Sequence, residues 1–196
     1  MPKLASDKLC TGCLACYDSC NHQAVDIVMK NGLVHVNVDA EKCIGCNLCE
    51  RSCPIVTPVR KNELSQAHVY GGWATDEEMR VNGASGGAFT GLAHSFFHLH
   101  KGEPVVVIGA SLANNRVSHI VVDDEKELFK LANSKYIQSD TGGIYRVVRE
   151  RLGAGYWVLF SGCPCQVAAL YGVLGTRRDN KRLITVEVVC HGIAGQ

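Results

Sequence analysis

The sequence lacks an excess of charge of either sign: 20 basic residues stand against 19 acidic ones, for a net charge of +1. That balance excludes a general attraction to nucleic acid or to acidic lipid. It also lacks a long apolar run. The greasiest stretch, PVVVIGASLA from Pro104 to Ala113, is far too short to cross a bilayer as a helix. The opening MPKLASDKLC has no apolar core of a secretory signal. These absences make the cytoplasm the expected compartment, with no transmembrane segment and no nucleic-acid partner, and thiols stay reduced there. At 196 residues, 46% of them hydrophobic and 20% charged, the chain can bury the core of one or two globular domains. What stands out is eleven cysteines. In a reducing compartment they point to metal rather than to disulfides.

Eight of the eleven fall into two runs of the same spelling, CTGCLACYDSC from Cys10 and CIGCNLCERSC from Cys43. Each is C-x2-C-x2-C-x3-C, the bacterial ferredoxin spacing. Three cysteines on one loop can converge on one cubane, while the fourth, where the chain leaves the loop, reaches the neighbouring cubane. The expectation is crossed ligation, with Cys10, Cys13, Cys16 and Cys53 on one 4Fe-4S cluster and Cys43, Cys46, Cys49 and Cys20 on the other. A zinc site built from two C-x2-C knuckles would leave four of these thiols without a role. A disulfide framework would need an oxidising compartment. The flanks repeat as well, DKLCTGC against EKCIGC, so one cluster-binding unit occurs twice. Pro54 follows Cys53, but Asn21 follows Cys20; that proline shapes the exit turn and is not a ligand. Between the runs, alternating apolar segments flank Asn31-Gly32, a strong hairpin signal.

The polar stretch at 61–68 reads as a linker, dividing a ferredoxin-like domain, 1–60, from a second domain, 69–196. In the second domain strand-like and helix-like segments alternate. VYGGWAT, EPVVVIGAS, RVSHIVVD, YWVLFSG and LITVEVVC read as strands. ASGGAFTGLAHSFFHLH with its lead-in loop, DEKELFKLAN behind Asp123 and Asp124, SDTGGIYRVVRERL and PCQVAALYGVL read as helices. The whole is α+β, a dicluster ferredoxin-like domain followed by an α/β domain. On the helix from Ser85 to His100, Phe89, Leu92, Ala93, Phe96 and Leu99 or His100 form the expected apolar stripe. His94 and His98 lie off it with no H-E-x-x-H order, and read as a solvated face.

The small residues of Asn82 to Phe89 run into a helix start. They fit either an ordinary capped helix or a phosphate cradle built on Ser85, Gly86 and Gly87. Cys163 and Cys165 in SGCPCQ, and Cys190 with His191 in VEVVCHG, follow apolar strands, at the strand ends where α/β folds place sites. They fit either ligands or small buried core residues. No general acid or base can be assigned; His191 and Lys135 are candidates by their nearness to motifs.

GASGGAF, NSKYIQSD, GCPCQVAALYG and VCHG, in this order behind a dicluster ferredoxin, resemble the coenzyme F420 hydrogenase/dehydrogenase beta-subunit family. The resemblance implies an iron–sulfur flavoprotein oxidoreductase passing electrons between a flavin and a one-electron carrier through the two clusters. FAD, FMN or the deazaflavin coenzyme F420 would bind the α/β part. The expected partner is a redox protein or a small redox carrier, such as ferredoxin or a deazaflavin. A carrier or docking subunit without its own flavin is the alternative. The resemblance places Ser85, Gly86 and Gly87, with Lys135, Tyr136, Gln138 and Ser139, at the flavin. It also makes Cys165 and Cys190 ligands of a third 4Fe-4S cluster whose other two ligands lie downstream, so the α/β domain is expected to be incomplete here. Position 163 is cysteine where the family usually has threonine.

Overall fold

The computed structural model describes residues 1–59 and 64–195. The domain ends expected at 60 and 196, and the first part of the linker, 61–63, lie outside the described residues. Residues 64–66 form a single 3-10 turn.

Two short helices, α1 (Ala15–Ser19) and α2 (Leu48–Ser52), bracket an antiparallel hairpin of β1 (Val25–Lys30) and β2 (Leu33–Val38). Asn31 and Gly32 both take positive φ, 53° and 76°, as a two-residue turn matched to strand twist requires. The hairpin read from the sequence is therefore present.

The second part is a four-stranded sheet in the order β4-β3-β5-β6. Strands β3 (Val105–Ala113) and β4 (Arg116–Val122) are antiparallel around a tight Asn114-Asn115 turn. Strands β5 (Trp157–Gly162) and β6 (Leu183–Glu187) continue the sheet in parallel. Between them runs α6 (Pro164–Leu174), the crossover that a parallel pair needs. The period-two alternation of the central strands sorts their side chains onto two faces. Val106, Ile108, Val158 and Phe160 face α6 and α5 (Ile144–Gly153). Val105, Val107 and Leu159 face α4 (Ala88–Leu99) and the 3-10 turn Glu125–Leu131. Each such fully buried side chain contributes roughly 1.5–3 kcal/mol. The result is α/β/α layering, with mixed helices and strands throughout.

Three local expectations fail. VYGGWAT forms no strand: Gly71-Gly72 interrupts it, and Val69, Tyr70 and Trp73 stay exposed. The helix expected in DEKELFKLAN is a 3-10 turn, with Asp124 accepting from the Lys126 N–H. The stripe on α4 is rotated. Ala93 and Phe96 are buried with Phe89 and Phe97 beside them, whereas Leu92 and Leu99 face outward. His100 is held by stacking on Trp157, 3.7 Å between centroids. A helix absent from the sequence reading, α3 (Glu77–Asn82), starts where Asp76 accepts from the Met79 N–H. That is an Asp N-cap followed by two glutamates, a legible start signal.

The ferredoxin-like part is docked on the α5–α6 side. Ala15 joins the core cluster of that face, and α1 and α2 both pack on α6. Asp18, fully buried, accepts from the N–H groups of Gly143, Tyr145 and Arg146 at the start of α5. Gly172 of α6 lies so close to the chain leaving α2 that a side chain there would run into the Ser52 carbonyl.

His119 shows how tightly the sheet is closed. It is buried on β4, with Nδ1 2.8 Å from Ser139 Oγ and Nε2 3.0 Å from the Ser161 carbonyl. A carbonyl only accepts, so Nε2 carries the proton and the Ser139 hydroxyl donates to Nδ1. Burial lowers the His119 pKa to about 4, while the Ser161 carbonyl and Asp140 oppose the shift. Unfolded, the ring titrates near 6.5, so the unfolded chain binds more protons between these values, and stability rises with pH. Stability is expected to fall by up to about 3 kcal/mol as pH drops from 6.5 to about 4. Urea unfolding at several pH values should show this slope, and His119→Gln should flatten it.

Candidate metal centres

The repeat seen in the spelling recurs in the backbone. Gly12 and Leu14 in the first run, and Gly45 and Asn47 in the second, all take positive φ. These left-handed steps curl each loop so that its first three cysteines turn toward one side. The third cysteine of each run, Cys16 or Cys49, falls within the short helix that follows. The fourth, Cys20 or Cys53, is the extended residue ending it. Since α1 and α2 pack together, the end of each helix is delivered to the other's loop.

Two cavities result. One is lined by Cys10, Cys13, Cys16 and Cys53 among apolar neighbours such as Leu4 and Val36. The other is lined by Cys20, Cys43, Cys46 and Cys49 beside Val25 and Val38. Burial pushes the Cys13 thiol up to about 11 and raises Cys16 and Cys49 too, with neighbouring cysteines adding to the shift. Thiols so placed stay protonated at neutral pH unless a cation compensates. Four sulfurs around an apolar hollow fit an iron–sulfur cluster in chemistry.

The cavities differ in surroundings. The Cys13 carbonyl accepts from both Tyr145 Oη, at 2.9 Å, and Thr141 Oγ1, at 3.0 Å. The second loop lies outward: Cys46 is exposed, and so is Ile44.

Beyond the first cavity the remaining cysteines gather. Cys163 caps α6, and its N–H donates to Gln166 Oε1 at 2.9 Å. Its thiol is pushed up to about 12, by burial first and by Cys190 next. Burial and Cys190 also raise Cys165. Cys165 in turn adds to the rise at Cys13 in the first cavity. The structure thus brings Cys163, Cys165 and Cys190 together at the carboxyl ends of β5 and β6. His191 is exposed beside them.

The other singled-out residues are spread more widely. Ser85, Gly86 and Gly87 are three successive left-handed residues, φ 51°, 65° and 72°, directly before α4. Lys135 folds back so that Nζ donates to the Ala132 carbonyl, and burial lowers its pKa. Tyr136 is exposed. Gln138 is buried, with Oε1 accepting from the Val34 N–H at 2.8 Å and Nε2 donating to the Thr11 carbonyl. Ser139 is buried against His119. Among the described residues, no helix is long and apolar enough to cross a membrane.

Residues 4–60 match the family described as a 4Fe-4S dicluster domain. Residues 69–144 match the family described as coenzyme F420 hydrogenase/dehydrogenase, beta subunit N-term.

Proposed function

From the premise that the chain carries, in order, a part that matches a 4Fe-4S dicluster domain and a part that matches the N-terminal part of the coenzyme F420 hydrogenase/dehydrogenase beta subunit, we propose an iron–sulfur flavoprotein oxidoreductase. It passes electrons between a flavin, or the deazaflavin coenzyme F420, and a one-electron carrier. Iron–sulfur clusters supply one-electron steps, and a flavin exchanges electrons singly or in pairs.

The observation that carries the reading is the sequence of cysteine groups across the molecule. The loop at Cys46 is exposed, the Cys13 cavity lies inward, and Cys165 continues from it to the strand ends of the α/β part. Cys10, Cys13, Cys16 and Cys53 hold one cluster; Cys43, Cys46, Cys49 and Cys20 hold the other. Cys165 and Cys190 contribute thiolates to a third. The Ser85–Gly87 turn receives the flavin phosphate at the start of α4, and Lys135 and Tyr136 are further contacts to the cofactor. Gln138 and Ser139 position that segment from behind.

A second reading, a carrier without its own flavin, is favoured by one fact. The Gln138 amide and the Ser139 hydroxyl are already engaged inside the protein. Anaerobic purification, with absorbance and mass of the bound cofactor, separates the two. Flavin bands support the first reading, and cluster absorbance alone supports the second.

Ser85→Asp tests the loop. Asp tolerates the left-handed region, and it sets a negative charge at the phosphate's expected seat. Flavin affinity is expected to fall on the order of tenfold or more, from like-charge repulsion. A glycine replacement is less clean, because a side chain at Gly86 would meet Trp73 Cβ at 2.8 Å. Unaltered flavin occupancy in Ser85→Asp would mean that the turn only starts a helix.

A further inference from the structure

His94 and His98 stand one turn apart on α4, and they do not form the merely solvated face expected from the sequence. Glu125, the first residue of the 3-10 turn after β4, reaches across to both. Its Oε1 lies 2.8 Å from His94 Nε2 and 3.1 Å from His98 Nε2. All three atoms fall within 4.8 Å of one another. We propose that His94, His98 and Glu125 form a binding site for a divalent transition-metal cation of the zinc class, separate from the cysteine centres.

Three observations carry this. Glu125 Oε1 is shut off from water and yet accepts no directed hydrogen bond. An ionisable oxygen in that state is unfavourable unless something positive meets it. The two imidazole rings are 4.4 Å apart between centroids, and protonating both would set like charges side by side one turn apart. A bound cation would use both ring nitrogens together with the carboxylate oxygen.

The spacing fits as well. Nitrogen and oxygen ligands about 2.0–2.2 Å from tetrahedral zinc lie roughly 3.3–3.6 Å from each other. The two separations to Glu125, 2.8 and 3.1 Å, are a little shorter, so a slight outward rotation of the side chains admits the ion. Imidazole nitrogen paired with one carboxylate suits zinc and its transition-metal neighbours, while magnesium and calcium prefer all-oxygen sets. His98 is more than half exposed, so a fourth position opens to water. The ion would clip α4 to the turn that follows β4. It thereby fixes the helix behind the Ser85–Gly87 loop relative to the chain leading to Lys135. The clip is independent of which cofactor, if any, that loop receives.

The test uses the full chain with its iron–sulfur centres in place, and zinc alone as the probe. Wild type is expected to retain about one zinc per chain after dialysis, in a shell of nitrogen and oxygen only by X-ray absorption at the zinc edge. His98→Gln and Glu125→Gln should each lose that zinc, with unchanged circular dichroism and iron content. The double variant Cys163→Ser, Cys190→Ser should keep it. Zinc should raise the melting temperature of wild type and leave that of Glu125→Gln unmoved. The proposal is overturned if wild type takes up no zinc, if the zinc has sulfur ligands, or if the histidine and glutamate variants hold it equally well.

Discussion

Replacing Cys20 with alanine is expected to strip the cavity at Cys43, Cys46 and Cys49, and to spare the nearer run that Cys20 belongs to by sequence. Cys20 lines the second cavity, and its Sγ also accepts from the Ala24 N–H at 3.3 Å. With one of four thiolates gone, an iron there loses its protein ligand next to an exposed loop, where solvent can complete the loss. Iron should drop from about eight atoms per chain to about four, counting two cubanes. Cys53→Ala should produce the mirror result, emptying the cavity at Cys10, Cys13 and Cys16. Iron analysis with electron paramagnetic resonance of the reduced protein distinguishes the two. Loss at residues 10–16 in the Cys20 variant would defeat the crossed arrangement.

Asp18→Ala is expected to be the most destabilising single change outside the cysteines. The carboxylate accepts at 2.7 Å from Gly143 and at 2.8 Å from Tyr145, with Arg146 at 3.3 Å. It acts as the N-terminal cap that α5 does not supply for itself, since Gly143 has no side chain. Burial raises the Asp18 pKa, and these N–H donors together with Arg146 pull the other way. The same arginine donates from Nε to the Asp18 carbonyl at 2.8 Å and from Nη2 to the Tyr17 carbonyl at 2.6 Å. Truncation leaves several buried donors without acceptors, in a site too closed for bulk water. The expected cost is about 3–5 kcal/mol, in the range for breaking a buried charged network. Urea unfolding under anaerobic conditions measures it, and Asp18→Asn should recover part through its remaining carbonyl oxygen. A cost below about 1 kcal/mol, the scale of an ordinary exposed contact, would show that α5 is held by packing alone.

What could be read in advance followed from short-range chemistry. Cysteine spacing is legible because four sulfurs around one small cluster constrain the loop between them. The β1–β2 hairpin is legible because Asn31-Gly32 accepts positive φ at both positions. The central strands are legible because a buried strand is apolar on both faces. The failures are equally specific. VYGGWAT has the composition of a strand, but Gly71-Gly72 breaks it, and among the described residues it joins no sheet. Leu92 and Leu99 have the right spacing for a core stripe, yet the layer above the sheet meets a different arc of α4. Asp18 and Gln138 look like ordinary polar residues. Their partners lie more than a hundred positions away in the chain, and no local pattern encodes them. His94 and His98 were visible as a pair; the Glu125 that gives them meaning comes from beyond two strands.

The double hydrogen bond to the Cys13 carbonyl has a consequence for local opening. The first cysteine loop is tied through its backbone to Tyr145 and Thr141 of the other domain, so freeing it costs contacts across the interface as well as its own. The second loop, exposed at Cys46, can open by itself. Amide hydrogens of the first loop are therefore expected to exchange more slowly than those of the second.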